Sequence, residues 1–265
     1  MSTELVLGPL RSLRRATLLW AGGLALLVAG TVAVWPEFKG SSAISHAVDK
    51  LPPAVLRAFG LGGFGTPAGF LRGNLYAFVV PLLLTAVAIY FVNSLTAAEE
   101  EGGRLEQLLA QPVTRAALFA GRATAALVAI LLIAAATALV QFAADAAFGL
   151  SIGADHLGAT LLLSTLLALF QASVALAVAG FAPRPSTVLG VAFGVTMVGM
   201  VWAAIVPLVP QAAGLAHVSP WDWALGGDPL VSGAASWRYL ALVFPTLVLS
   251  GLGVWAFSHR DISSG

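Results

Sequence analysis

The chain has 265 residues, 59% of them apolar and only 9% charged, and its 13 basic and 12 acidic side chains leave a net charge of +1. A water-soluble domain carries about a quarter of its residues charged, so this composition, with a mean hydropathy of +0.93, excludes an ordinary soluble domain. The near-zero charge gives no reason to expect nucleic acid as a partner, and the absence of cysteine excludes disulfides and leaves the redox compartment open.

Six apolar runs approach or exceed the roughly 20 residues that cross a bilayer as a helix. They cover 16–35, 75–97, 116–144, 157–181, 188–209 and 239–257. Backbone polar groups in lipid must be satisfied within the segment, so each run is expected to be helical. The fold class is therefore an all-α polytopic membrane protein, one transmembrane domain over 1–265 with no soluble domain and no internal repeat.

The first run follows Arg11, Arg14 and Arg15. It is too long for a signal-peptide core, and Trp35-Pro36-Glu37 is a poor cleavage site, so it reads as an uncleaved anchor. The loop 36–73 holds Pro52-Pro53 and the tract GLGGFGTPAG. Within it, 48–59 reads as a short interfacial helix turning Val48, Leu51, Val55, Leu56 and Phe59 inward. Residues 60–65 fit G-x-G-x-x-G, but that signature binds dinucleotides only between a strand and a helix; between membrane spans it reads as a flexible turn.

Run two ends in Glu99–Glu101, and Asp145 and Asp155 fall at the outer ends of runs three and four. No acid or base occupies the middle of a run, which argues against a proton relay. Gln141, Gln171, Ser173 and Thr196 are the mid-span polar groups, expected to make interhelical hydrogen bonds. Gly149-Leu150-Ser151-Ile152-Gly153 fits the G-x-S-x-G nucleophile elbow without its strand–turn–helix setting. Runs four and five join through the turn 182–186. Gly190 and Gly194 form a G-x-x-x-G in run five, read first as close helix packing and alternatively as a subunit interface. An outer segment, 211–237, carries SPWDWALGGDPL before run six.

Placing both termini in the cytoplasm puts Arg11, Arg14, Arg15, Arg104, Arg115, Arg122, Arg184 and Arg260 inside, against Lys39, Lys50, Arg57, Arg72 and Arg238 outside, as the positive-inside rule favours. Trp20, Trp35, Trp237 and Trp255 fall near span ends as interfacial anchors, while Trp202 reads as packing. The histidines His46, His156, His217 and His259 show no paired metal spacing. Neither Lys39 nor Lys50 closes a glycine-rich P-loop, so no metal site is expected and no catalytic residue stands out.

Six charged side chains crowd into EEEGGRLEQLLAQPVTR, residues 99–115: Glu99, Glu100, Glu101, Arg104, Glu106 and Arg115. As a helix it places Leu105, Leu108 and Leu109 on one face and lets Glu100 pair with Arg104 at i+4. Gly102-Gly103 loosens the join to run two, and Pro112 ends the segment. Acids outnumber bases, which disfavours the negative inner leaflet as the binding partner and points to a protein with a basic, partly apolar groove.

The same stretch resembles the inner-loop signature of type-2 ABC (ATP-binding-cassette) exporter permeases, usually Glu-Glu-x-Gly-Thr-Leu-Asp/Glu-x-Leu-Leu-x-x-Pro-Val-Ser/Thr-Arg. Glu100, Glu101, Gly103, Leu105, Glu106, Leu108, Leu109, Pro112, Val113, Thr114 and Arg115 fall on motif positions, while Arg104 stands where threonine is usual. TPAGFL (66–71), SPWDW with DPL (219–230) and FSHRDI (257–262) also resemble members of the family. The resemblance implies six helices per half and a second permease half, identical or related. It also implies a separate cytoplasmic ATPase subunit that carries ATP and Mg, docked on 99–115 as a coupling helix. The chain itself then binds no cofactor and is no enzyme. Residues 10–15 are expected as a short connecting helix along the inner surface, and the location as the plasma (inner) membrane. A membrane-embedded enzyme using Ser151 is an alternative, as is a channel or scaffold without ATP coupling. The substrate is not legible in any motif.

Overall fold

A computed structural model describes residues 3–39, 48, 50–52, 55–56, 59–103 and 113–260. Among these residues there is no strand. Helix α1 (Glu4–Ala33) leads through a single-residue turn into α2 (Trp35–Phe38). Further along the chain, α3 (Pro67–Leu71), a π turn (Arg72–Tyr76), α4 (Val79–Leu95) and α5 (Ala97–Glu101) follow one another as a nearly continuous helical segment. Then come α6 (Arg115–Phe148), α7 (Ala154–Phe181) and α8 (Pro185–Ile205). Two 3-10 turns (Val206–Leu208 and Pro210–Val218), α9 (Pro220–Leu225) and α10 (Pro229–Ser232) lead to α11 (Ser236–His259).

Six segments are long and apolar enough to cross a membrane: Glu4–Phe38, Pro67–Glu101, Arg115–Phe148, Ala154–Phe181, Pro185–Leu208 and Ser236–His259. Each coincides with an expected run. The second and fourth form the centre, with 61% and 67% of their apolar windows buried against 17–33% elsewhere. Around this pair α1 packs along α6, α11 along α7, and α8 against both α4 and α7.

The first helix corrects the sequence reading. Residues 10–15 are not a separate surface helix; α1 is continuous from Glu4. Arginine is a good helix former, so Arg11, Arg14 and Arg15 interrupt the hydropathy without interrupting the helix. Beside α1, an added Cβ on Gly121 of α6 would lie 2.7 Å from the Leu5 carbonyl oxygen, so glycine lets the two helices approach closely.

A second close crossing joins α7 and α11. A Cβ on Gly180 would fall 2.4 Å from the Gly253 carbonyl oxygen, and one on Gly253 2.8 Å from that of Leu176. Gly190 and Gly194 of α8 have nothing within 4 Å of the corresponding positions and are exposed. Close packing within the chain, the first reading of that pair, is therefore corrected: small residues serve helix packing at Gly121, Gly180 and Gly253 instead.

Among the mid-span polar groups only Gln141 shows the expected interhelical bond, accepting from the Tyr76 hydroxyl at 2.8 Å. Ser173 and Thr196 instead donate back to their own helices, to the carbonyls of Phe170 (2.6 Å) and Ala192 (2.9 Å). A hydroxyl in an apolar surrounding takes the nearest free acceptor, the carbonyl one turn back. Trp35 also departs from expectation: it is buried and tilted against Phe70 at 5.4 Å, whereas Trp237 and Trp255 are exposed. Trp202, read as packing, is partly exposed, and its indole N–H donates to the Leu215 carbonyl at 2.8 Å.

The end of the bundle beside α3 is tied across sequence. Arg72 donates to Asp228 at 2.6 Å, and Gly60 (φ +66°) curls beside Arg72, where a Cβ would meet Ala77 at 2.8 Å. That crowding is the structural use of the glycine tract. Asp228 takes a left-handed conformation (φ 55°), which aspartate tolerates better than most residues. Burial raises its carboxyl above the ordinary aspartate range, while the Arg72 charge opposes that rise. The proposed interfacial helix 48–59 lies partly outside the described residues; of its inward set, Leu51 and Phe59 are exposed.

Candidate functional site: a charge cluster at one end of the bundle

The acidic run sits where α4 gives way to α5. The break falls at Thr96 (φ −120°, ψ −91°), whose hydroxyl donates to the Val92 carbonyl at 2.6 Å. The short α5 then presents Glu99, Glu100 and Glu101. It ends at Gly102, and Gly103 follows at φ +69°, a left-handed position that glycine adopts without steric cost. Arg104, Leu105, Glu106, Leu108, Leu109 and Pro112 lie outside the described residues.

Where description resumes, Thr114 caps α6, its side-chain oxygen accepting from the Ala117 N–H at 3.2 Å. Such caps contribute about 1 kcal/mol. The Thr-Arg at the end of the motif is thus a helix start.

The three glutamates have different fates. Glu99 receives Arg122 of α6, the guanidinium Nε donating at 2.8 Å and Nη2 joining the same oxygen. The Arg122 side chain is only 3% exposed and that of Glu99 15%. Glu100 receives Arg260 in a two-pronged pair, Nη1 donating to Oε1 at 2.8 Å and Nη2 to Oε2. The fork of arginine matches a carboxylate in this way. Glu101 is exposed. The expected Glu100–Arg104 pairing lies outside the described residues with Arg104; the partner that Glu100 shows is 160 residues distant in sequence.

Arg260 also closes α11, as the residue after its last turn. Its carbonyl accepts from Arg115 Nη1 at 2.9 Å. Arg115, a cation at the positive end of its own helix, thereby satisfies a carbonyl at the negative end of another. Beneath, the Arg260 guanidinium lies 5.0 Å from the Phe257 ring centre, and Phe257 stacks on Phe119 at 4.4 Å with 16° between the rings. The cluster therefore joins the ends of α5 and α11 to the start of α6.

On the membrane side of this cluster, an apolar cavity of about 680 Å³ lies among α4, α6, α7 and α11, with Ala123, Leu127, Leu169, Leu247 and Trp255 in its wall. Its hydroxyls at Thr124, Ser173 and Thr246 donate to the carbonyls of Ala120, Phe170 and Leu242 on their own helices. The wall accordingly suits apolar rather than hydrogen-bonding contents.

Ser151, the one serine with a nucleophile-like motif, sits at φ 58° in the exposed connection before α7. Gly149 next to it is the left-handed cap of α6, so the motif is a helix stop followed by a turn. The glycine tract 60–65 is likewise a turn folded on α3, the Thr66 side chain capping that helix at 3.1 Å from the Gly69 nitrogen.

Sequence reasoning placed Glu99, Glu100, Glu101, Gly103 and Arg115 in one region, and the structure brings them to one end of the bundle. It missed Arg122, Phe119, Phe257 and Arg260 as members. The signal available was weak: Arg122 is a cation inside an otherwise apolar run, which by itself demands a buried partner.

Residues 10–262 match a family model described as ABC-2 family transporter protein. No curated protein matches the chain.

Proposed function

Because the chain belongs to the ABC-2 family of transporter proteins, a family of multi-pass membrane permeases, we propose that it is the permease subunit of an ABC exporter, moved by a separate cytoplasmic ATPase subunit that docks on 99–115. The observation that carries this reading is the anchoring of both ends of that segment to one cluster at the inner end of the bundle. A segment that receives force must have fixed feet, and here they rest on α5, α6 and α11. ATP and Mg then belong to the partner, and this chain supplies the pathway. Nucleotide-driven closure of two ATPases pushes the two segments and tilts the spans between inward- and outward-facing states.

The pairing of Glu99 and Glu100 within the chain supports a smaller docking charge. Glu99 and Glu100 are spent on Arg122 and Arg260, so the partner meets Glu101 and Arg115, both exposed, with the stretch 104–112. Docking on Glu101, Gly103, Arg104, Leu105, Glu106, Leu108, Leu109, Pro112 and Arg115 is thus more apolar and less acidic than the sequence implies.

A second permease half is assigned to α8. Gly190 and Gly194, with exposed Val198 and Val201, leave a smooth apolar face on the side of the α4–α7 pair that α6 and α11 do not cover. A second copy of the chain or a related half fits there by small-residue packing.

The test is co-purification of the tagged permease with the ATPase encoded beside its gene. Recovery of that ATPase with the wild-type chain, and its loss in Glu101→Arg at unchanged membrane insertion, supports docking. If wild-type permease recovers no ATPase from detergent or nanodiscs, the coupling reading fails and a channel or scaffold takes its place.

A further inference from the structure

Both ends of the proposed docking segment are bonded to a single residue outside it. The guanidinium of Arg260 holds Glu100 at the near end, and the carbonyl of Arg260 holds Arg115 at the far end. The last turn of α11 therefore sets both feet of the segment. The side chain itself is fixed from below by Phe257 at 5.0 Å, which is clamped to α6 through the Phe119 stack. Arg122 adds a second tie, between Glu99 and α6, one turn into the bundle from Phe119.

We propose that Arg260 is a positioning residue for coupling: it staples the two feet of the 99–115 segment, so that α5, the start of α6 and the end of α11 move as one body. The proposal rests on the docking function given to that segment, but the stapling itself is testable on the permease alone. Helix α8 has no residue in the cluster; it packs against α7 and α4 and also touches α5. Force on the segment consequently reaches α8, the helix assigned to the partner half, through α5. Two discrete arrangements of packed elements are what a rigid-body switch requires.

The chain has no cysteine, so labels attach without background. Spin labels at Glu101→Cys and His259→Cys, both exposed positions, report the separation of α5 from the end of α11 by pulsed electron resonance in nanodiscs. The expected result is one narrow distance with Arg260 present. In Arg260→Ala the narrow peak is lost, and it returns in the swapped pair Glu100→Arg with Arg260→Glu. Arg260→Lys restores it only in part, because lysine cannot make the two-pronged pair.

A narrow peak that survives in Arg260→Ala overturns the proposal whether or not any ATPase binds. Failure to recover an ATPase with the wild-type chain sinks the docking function and leaves the distance result readable. Should Arg260→Ala fail to insert, Arg260→Met, which keeps an apolar stem over Phe257 and has no donor toward Glu100, is read by the same criterion.

Discussion

Gly180 and Gly253 meet backbone to backbone: a Cβ on the first would lie 2.4 Å from the carbonyl oxygen of the second. No side chain fits that gap without moving α7 away from α11. Gly253→Leu is expected to destabilise the bundle by about 1–3 kcal/mol, the range for overpacking a close interface, read as a lowered unfolding midpoint in detergent. Gly22→Leu on α1, whose added atoms meet open space, should leave that midpoint unchanged or slightly higher, since leucine is the better helix former. Equal losses in the two variants would refute the assignment of which glycines pack.

The Glu99–Arg122 pair offers a cycle with a distinctive signature. Removing Glu99 strands the buried Arg122 charge and costs about 3–5 kcal/mol, whereas replacing both by apolar groups of similar volume is often near neutral. Glu99→Leu alone should therefore lower the unfolding midpoint more than Glu99→Leu combined with Arg122→Met. Additive losses would show that the two side chains do not depend on each other in the folded protein.

The face of α8 makes a separate prediction about assembly. Gly194→Cys places one thiol per chain, in a protein without cysteine, on the surface proposed for the second half. If two copies pair there, mild oxidation in membranes yields a disulfide-linked dimer on a non-reducing gel. A cysteine at Leu240 of α11, equally exposed but on another face, should remain monomeric. Dimer from Leu240→Cys and none from Gly194→Cys would move the interface elsewhere.

The six spans were legible because an apolar run of bilayer length has few other fates. Their packing was not. In a soluble helix, polarity marks the outward face, but here α6, α7 and α8 are apolar all round and face lipid with valine and leucine as readily as they face each other. Nothing local therefore told Gly253 from Gly194. The extension of α1 through Arg11, Arg14 and Arg15 was hidden for a related reason: hydropathy reports lipid tolerance, not where a helix ends. The acidic run was legible as a cluster, while its partners were not, because Arg260 reaches Glu100 only after the bundle has formed. That difference decides which glutamate a docking experiment should change.

The clasp between Arg72 and Asp228 implies a pH dependence whose sign follows from the burial of Asp228. Burial raises the Asp228 carboxyl above its ordinary value, and the Arg72 charge only partly offsets this. The folded protein therefore holds that proton more tightly than the unfolded chain. The resulting stability is fully present below about pH 4, the ordinary aspartate range, and is lost as pH rises through the folded value. Asp228→Asn cannot ionise and lacks this slope, although losing the partner of Arg72 shifts its whole profile. The measurement is the unfolding midpoint of each protein in detergent from about pH 4 to about pH 7. Wild type minus variant should fall as pH rises, then level off. A flat difference would show that the carboxyl is not perturbed, and a rising one would mean that Arg72, rather than burial, dominates at this site.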